Sequence, residues 1–349
     1  MNKIAIVVPA HIPLSQDWIN ALKREADIGH ADVIIVDDSD GKLNVPDMPE
    51  FLIMGYSAQR DLLGELYEDF AKLFHKSSAC RVFGHIWAYV SGYDIVIGLD
   101  SDCIVPFHFV EDNIGTLNTT RNNGWINPLS GSGLYPRGFP YSMRNWRTVA
   151  NMGMWENVLD LNGKDRSPNE PKRINAGKWN APAPIPFSGM NFALTRDVLF
   201  GFLFLPNFEY VERPAVIDGS SMNFRWQFRR IDDIWGGYIF QKLLHKLHLG
   251  VTYGQPIVYH DTVVIKEEDV AEEEAMYRFE DEFIYQVDQV LGNAIHYMKD
   301  KNLNESMIEF CSSFIRHDMV LDNPNYKFKE LVPAFEWWAK VINKYGDKV

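Results

Sequence analysis

The sequence predicts an α/β protein, a parallel sheet covered by helices, followed by a C-terminal helical segment. Three observations carry that expectation. Near-continuous aliphatic runs recur at 4–8, 33–36 and 95–99, the pattern of strands buried on both faces. Helical patterns lie between those runs, and strand alternating with helix is the mark of the α/β class. Beyond His260 the composition turns acid-rich and helical.

The first run leads into a helical pattern over 15–26 that opens on Ser15, whose hydroxyl suits a helix N-cap. The second run ends in "VDDSDG", which sets Asp37, Asp38 and Asp40 at a strand end. Helical patterns then cover 61–74 and 78–90, the latter starting "SACR" with Arg81. The third run, 95–99, ends in Asp100-Ser101-Asp102. From 122 to 186 the chain is rich in Gly, Pro, Asn and Trp with little periodicity, and reads as long ordered loops with one helix around 147–159. A helix is expected over 232–247, followed by short strands at "GVTYG" and "PIVYH". The acidic run "IKEEDVAEEEAMYRFEDEF" reads as a helix with a solvated face, and further helices are expected near Ser306 and Lys329. The chain therefore divides into a unit of 1–262 and an acidic helical extension of 263–349, packed on that unit or used in assembly.

With 349 residues, 46% of them hydrophobic, the chain can bury a substantial core. Its net charge of −13 and lack of a Lys/Arg cluster exclude a nucleic-acid partner. Cys80, Cys103 and Cys311 are sparse and lack metal-type spacing, which fits a reducing compartment, so a cytoplasmic location is expected. The longest apolar run, "VLFGFLFLP", is too short to span a bilayer, and the apolar start "IAIVVP" is too short for a signal peptide.

Asp100 and Asp102, two apart at the end of a buried strand, share a face if the extended conformation persists past Leu99. Open α/β sheets bind ligands at that edge. Paired carboxylates suit Mn²⁺ or Mg²⁺, whose open positions accept substrate phosphates, and a nucleoside diphosphate is the natural guest. The plain alternative is that both acids cap the following turn. Asp38 at the neighbouring strand end could hydrogen-bond a ribose hydroxyl or base N–H, or form an Asx turn. "GSGLYPRG" is no dinucleotide fingerprint, because Pro136 stands at the third glycine position.

Six blocks in order, "SSACRVFGH", "GLDSDC", "YPRGFPYSMR", "FSGMNFALTRD", "RRIDDIWGGY" and "GVTYGQPIVYH", resemble the reversibly glycosylated polypeptides, also called UDP-arabinopyranose mutases, over residues 4–260. The resemblance implies a GT-A-like, Rossmann-type nucleotide-sugar domain with a mixed, mainly parallel sheet. It also implies a divalent metal, Mn²⁺ or Mg²⁺, and interconversion of the pyranose and furanose forms of UDP-arabinose. In the family motif R-G-x-P-x-S-x-R the first Arg carries reversible self-glycosylation and the second is required; these fall on Arg137 and Arg144. The chain departs from the family at Ser101, the middle of an acidic triplet, at Ser188 in place of Cys, and at His85 in place of Tyr. The loop between Trp155 and Pro186 also differs strongly.

Carried over residue by residue, the metal set is Asp100, Asp102 and, by analogy with GT-A enzymes, His260, a residue type that after a strand is more often a hydrogen-bonded edge residue. Asp38, Arg81, Asp100 and Asn191 become nucleotide-binding candidates, Arg81 either touching the nucleotide or packing against an acid of the sheet edge. A guanidinium with pKa above about 12 is a poor nucleophile, so a covalent Arg137 requires a carboxylate to take its proton. Asp232 and Asp233 are the candidates for that base or for orienting sugar hydroxyls, with helix capping as the alternative. Arg137 and Arg144 could instead grip the diphosphate. Trp146, Trp155 and Trp235 stack on a ligand or fill the core. Three functions compete: a mutase with self-glycosylation, a GT-A glycosyltransferase acting on an external acceptor, and a non-catalytic UDP-sugar-binding partner in a homo- or hetero-oligomer.

Overall fold

The computed structural model describes the chain except residues 1, 40, 44, 46–47, 122–126, 128, 130–133, 168, 170, 174–178, 182–183, 218–219, 264–265, 322–327 and 347–349. In chain order the elements are β1 (Ile4–Ala10), α1 (Gln16–Gly29), β2 (Ala31–Asp37), β3 (Phe51–Met54), α2 (Tyr56–Leu63), α3 (Tyr67–Phe74), α4 (Val82–Val90), β4 (Ile95–Leu99), β5 (Cys103–Ile104), α5 (Phe109–Ile114) and β6 (Thr120–Arg121). There follow β7 (Trp146–Asn157), β8 (Trp179–Asn180), β9 (Asn191–Thr195), β10 (Phe208–Ile217), β11 (Ser220–Phe228), α6 (Asp232–Lys246), β12 (Leu249–His260), α7 (Lys266–Ala294), α8 (Leu303–Leu321) and α9 (Val332–Tyr345).

The main sheet runs β3-β2-β1-β4-β9-β7-β12-β5, with β6 on β7 and β8 on β12. Strands β3, β2, β1 and β4 are parallel, as their unbroken aliphatic runs require. β9 is antiparallel to both neighbours, β12 runs parallel to β7, and β5 closes antiparallel on β12, so the sheet is mixed. Alternate residues of β1 feed two cores: Ala5 and Val7 pack on one face with Phe83 of α4, Ile6 and Val8 on the other with Trp18 and Leu22 of α1. Ser15 caps α1 as expected, its hydroxyl accepting from the Trp18 N–H at 3.2 Å.

Three sequence expectations are corrected. The segment 147–159 is not a helix but the long strand β7, held between β9 and β12. An unbroken buried run from Thr148 to Gly153 in β7 erases the alternation by which a strand is recognised. "GVTYG" and "PIVYH" join into the single strand β12, with a register shift between Gly254 and Ile257. The acidic face of α7 is not all solvated, since Asp269 and Glu273 are 7% and 4% exposed.

The C-terminal helices share the first core. Trp337 and Trp338 are wholly buried and donate their indole N–H groups to the carbonyls of Leu66 and Phe200, both at 2.9 Å. Among the described residues no helix is long and apolar enough to cross a membrane.

Candidate functional site

β4 stops at Leu99, and the chain turns at once, the Cys103 N–H donating to the Asp100 carbonyl at 3.2 Å. The extended conformation does not persist, and the two acids part. Asp100 accepts from the Arg81 guanidinium at 2.5 Å. Asp102 faces His260 Nε2 at 3.3 Å. The expected metal trio is thus drawn into two pairs, and among the described residues no three His, Cys, Asp or Glu side chains form a ready metal cluster.

Arg81 is buried and held at three points: besides Asp100 it donates to the Ser78 carbonyl at 3.1 Å and to the Gly189 carbonyl, and its guanidinium lies over the Phe204 ring at 4.9 Å. Burial alone would lower its pKa, but Asp100, Asp232 and Asp233 together raise it, so the cation is fixed. Gly189 makes this close approach possible: a Cβ there would meet Phe204 at 2.9 Å and an Arg81 nitrogen at 3.0 Å.

His260 ends β12 with its Nδ1 at 2.8 Å from the Val158 carbonyl. A carbonyl only accepts, so Nδ1 carries the hydrogen, and Nε2 faces the Asp102 oxygen. Burial lowers the His260 pKa, and the hydrogen bond and charge of Asp102 more than restore it. For Asp102 the balance runs the other way, burial being outweighed by His260, and its carboxyl sits below the usual range.

Asp232 and Asp233 form the first turn of α6, whose cap position is Ile231, and Asp233 accepts from the Ile234 N–H of that turn at 2.8 Å. Asp232 accepts from the Ser78 hydroxyl at 2.6 Å, and Asp233 accepts from the Gly189 N–H at 2.6 Å. Burial, then the charges of Asp232 and Asp160, push the Asp233 carboxyl well above the ordinary range. Asp160 accepts from the Ser188 hydroxyl at 3.3 Å and is also raised by burial, although Arg230, His260 and Arg166 oppose the rise.

A cavity of about 150 Å³ opens at the carboxyl ends of β1, β2 and β4, lined by Ala10, His11, Asp38, Arg81, Asp100 and Asp102 among others. Asp38 lies at its rim, held by the Tyr56 hydroxyl at 3.2 Å and the Lys76 N–H. Asp37 makes the Asx turn, accepting from the Ser39 N–H at 2.8 Å. Asp40 lies outside the described residues.

Other expected site residues are elsewhere. Asn191 is fully buried, and its amide donates to the carbonyls of Met154 on β7 and Pro256 on β12 at 3.1 and 3.0 Å, so it ties β9 to those two strands rather than facing the cavity. Trp146, Trp155 and Trp235 are core side chains. Arg137 is exposed at the tip of a turn closed by the Phe139 N–H on the Pro136 carbonyl at 3.1 Å, with Gly138 at φ 92°. Arg144 stacks on Tyr135 and Tyr141 at 4.1 and 4.0 Å and donates to the Phe139 carbonyl at 3.0 Å. It holds the loop that presents Arg137. Sequence reasoning missed Asp160, Ser78 and Arg230. Asp160 sits in an aperiodic loop where no pattern marks it.

A profile of the family described as reversibly glycosylated polypeptide matches residues 1–346. Among curated proteins, UDP-arabinopyranose mutase 2 of Arabidopsis thaliana is 27% identical over 248 residues, 65% of this chain and 63% of that protein. UDP-arabinopyranose mutase 1 of Oryza sativa subsp. japonica is 26% identical over 203 residues, 53% of this chain and 51% of its own. The matches thus span less than two thirds of these relatives' length.

Proposed function

The chain belongs to the reversibly glycosylated polypeptide family, and from that premise we propose that it is an enzyme that binds a UDP-sugar and interconverts its pyranose and furanose forms, UDP-arabinose first among candidates. The observation that carries this reading is the fixed Arg81 cation beside Asp100 at the cavity floor, at the sheet edge where α/β folds take nucleotides. Asp38 serves the ribose or base and the Arg81 side of the cavity takes the diphosphate, while Asp233, bonded to the Gly189 N–H beside Arg81, orients the sugar hydroxyls.

A divalent ion fits the Asp102 side. Because His260 Nδ1 is committed to the Val158 carbonyl, the Nε2 lone pair and the Asp102 carboxylate face each other at 3.3 Å, an arrangement that calls for a proton or a cation between them. Asp102 and His260, with Asp100 beside them, would hold Mn²⁺ or Mg²⁺, which when bound stabilises negative charge on the departing diphosphate. Arg81 adds a second, permanent charge at the same place, an electrostatic contribution of the kind that is worth about 3 kcal/mol.

Reversible glycosylation of Arg137 belongs to the same proposal, and its exposure at a turn tip supports it. The bond from the anomeric carbon to UDP breaks, a bond to a guanidinium nitrogen forms, and the displaced proton passes to a carboxylate. Asp232 and Asp233 are the candidate bases. Their hydrogen bonds go to Ser78, Gly189 and Ile234 and not to Arg137, which favours transfer to an external acceptor as the second reading. The unpaired, buried cysteines support a reducing, cytoplasmic setting.

Incubation with UDP-arabinopyranose and Mn²⁺, with chromatography of the nucleotides and intact mass of the protein, tests the reading. A furanose product and a pentose adduct lost in Arg137→Lys are expected. Sugar found only on an added acceptor selects the second reading, and absence of UDP binding overturns both.

A further inference from the structure

The segment that carries Arg137 stands at the far end of the sheet from the cavity of its own chain. It enters β7 at Trp146, where the next residue, Arg147, pairs with Leu249 at the start of β12. The other end of β7, Asn157, pairs with His260, which faces Asp102 at the ligand edge. At about 3.3 Å per residue, Trp146 lies roughly 35 Å from that edge along the strand. Helix α6 gives a second measure. The Trp146 ring stacks on His248 at 5.0 Å and meets His245 edge-on at 4.9 Å, at the carboxyl end of α6, whereas Asp232 and Asp233 open the same helix at the site. From Asp232 to His245 the helix rises about 20 Å at about 1.5 Å per residue.

The segment does not stretch back over that distance. The Trp146 indole N–H donates to the Ser142 carbonyl at 2.6 Å, and the Met143 and Arg144 N–H groups close turns on the Pro140 and Tyr141 carbonyls at 3.1 and 3.2 Å. The Arg144 guanidinium lies over the ring of Tyr135, two residues before Arg137. Tyr135 to Arg144 is therefore coiled beside Trp146 and turns Arg137 to solvent.

What surrounds Arg137 matches what surrounds the cavity. Leu134 and Tyr141, either side of Arg137 in the loop, are exposed, Tyr141 at 84%. At the cavity, Ile12 is exposed next to the lining residue His11, and Val263, 90% exposed, follows Thr262, which bonds the lining acid Asp102. The charged side chains of the lining are three acids, Asp38, Asp100 and Asp102, against Arg81 alone, so the mouth attracts a cation. An arginine flanked by exposed apolar side chains is complementary to an acidic mouth with an apolar rim.

We propose that the Arg137 loop serves the cavity of a second copy of this chain: one copy holds the UDP-sugar and the other presents its Arg137 as the acceptor. The proposal rests on the nucleotide-sugar reading and on Arg137 as the modified residue. In that complex the bond from the anomeric carbon to the diphosphate oxygen breaks and its electron pair leaves on UDP. A guanidinium nitrogen of the second copy's Arg137 supplies the pair for the new bond, and its proton passes to Asp232 or Asp233 of the copy that holds the nucleotide. The reverse step returns the sugar to UDP and the proton to the guanidinium.

Complementation between two full-length variants tests this. Arg137→Gln keeps the cavity and loses the acceptor; Asp100→Asn keeps the acceptor and loses the pair to Arg81. The two are co-expressed so that mixed assemblies form, one with a short tag so that intact mass tells them apart, and are given UDP-arabinopyranose and Mn²⁺. Neither variant alone gains a pentose. In the mixture the Asp100→Asn chain gains it to within about threefold of the wild-type level, since about half of its neighbours carry an intact cavity. Wild type that is labelled beside a mixture that is not overturns the proposal and shows transfer within one chain. Should Asp100→Asn not fold, Asp102→Ala takes its place. Val263→Asp in the wild-type chain lowers labelling about tenfold while UDP affinity by calorimetry stays within about threefold; unchanged labelling overturns the assignment of the rim as the docking surface. Wild type that binds UDP but passes sugar only to an added acceptor overturns the role of Arg137, and wild type that binds no UDP overturns the nucleotide-sugar reading itself, both results distinct from a failed mixture.

Discussion

His85 gives the sharpest stability prediction. It sits on α4 one turn past Arg81, fully buried among the rings of Phe192, Phe202 and Phe204, with neither ring nitrogen hydrogen-bonded. Burial, reinforced by the Arg81 charge, lowers its pKa from 6.5 to about 3. The folded protein therefore keeps His85 neutral where the unfolded chain protonates it. Its contribution is fully favourable above the unfolded pKa, is lost progressively as pH falls below that value, and stops changing below the folded one. Between about pH 7.5 and about pH 5 this single group costs about 2 kcal/mol of stability. Replacing it by Phe adds a constant packing offset of about 1–3 kcal/mol but removes the titration. Urea unfolding of wild type and His85→Phe at both pH values isolates the effect, since every other titrating group cancels in the difference. The variant is expected to lose about 2 kcal/mol less than wild type on acidification. Parallel losses would refute the reasoning and show that His85 finds a partner for its proton.

Gly189→Ala forces a methyl group against Phe204 and Arg81, and calorimetry is expected to show UDP affinity reduced more than about tenfold at a stability cost of about 1–3 kcal/mol. Asp102→Ala is expected to abolish the Mn²⁺ dependence of UDP binding; titration with and without the ion checks this, and unchanged dependence would remove the metal from Asp102. Arg144→Lys keeps the charge but loses the flat stack between Tyr135 and Tyr141, so intact mass is expected to show a reduced sugar adduct on Arg137 with UDP affinity unchanged. Trp338→Ala removes a buried indole and its bond to the Phe200 carbonyl, for an expected loss of about 3–5 kcal/mol in chemical denaturation.

What the sequence by itself determined is the part whose signal is local. The aliphatic runs of β1, β2 and β4 specify parallel strands, Ser15 specifies the start of α1, and the acids after Leu99 mark the ligand edge, because burial on two faces, capping and strand ends depend only on adjacent residues. The tertiary structure decided what those acids touch. Asp100 and Asp102 are two residues apart yet turn to Arg81 and His260, which come from distant elements. Strand β7 is hidden in sequence because it lies inside the sheet, paired with β9 and β12 along its two edges, and none of its residues is exposed on either face, so no alternation marks it. Asp269 and Glu273 acquire their partners only where the loop at 158–166, the turn before α6 and helix α7 meet. A carboxylate's surroundings, not its place in the chain, set whether it is solvated, paired or left open to a ligand.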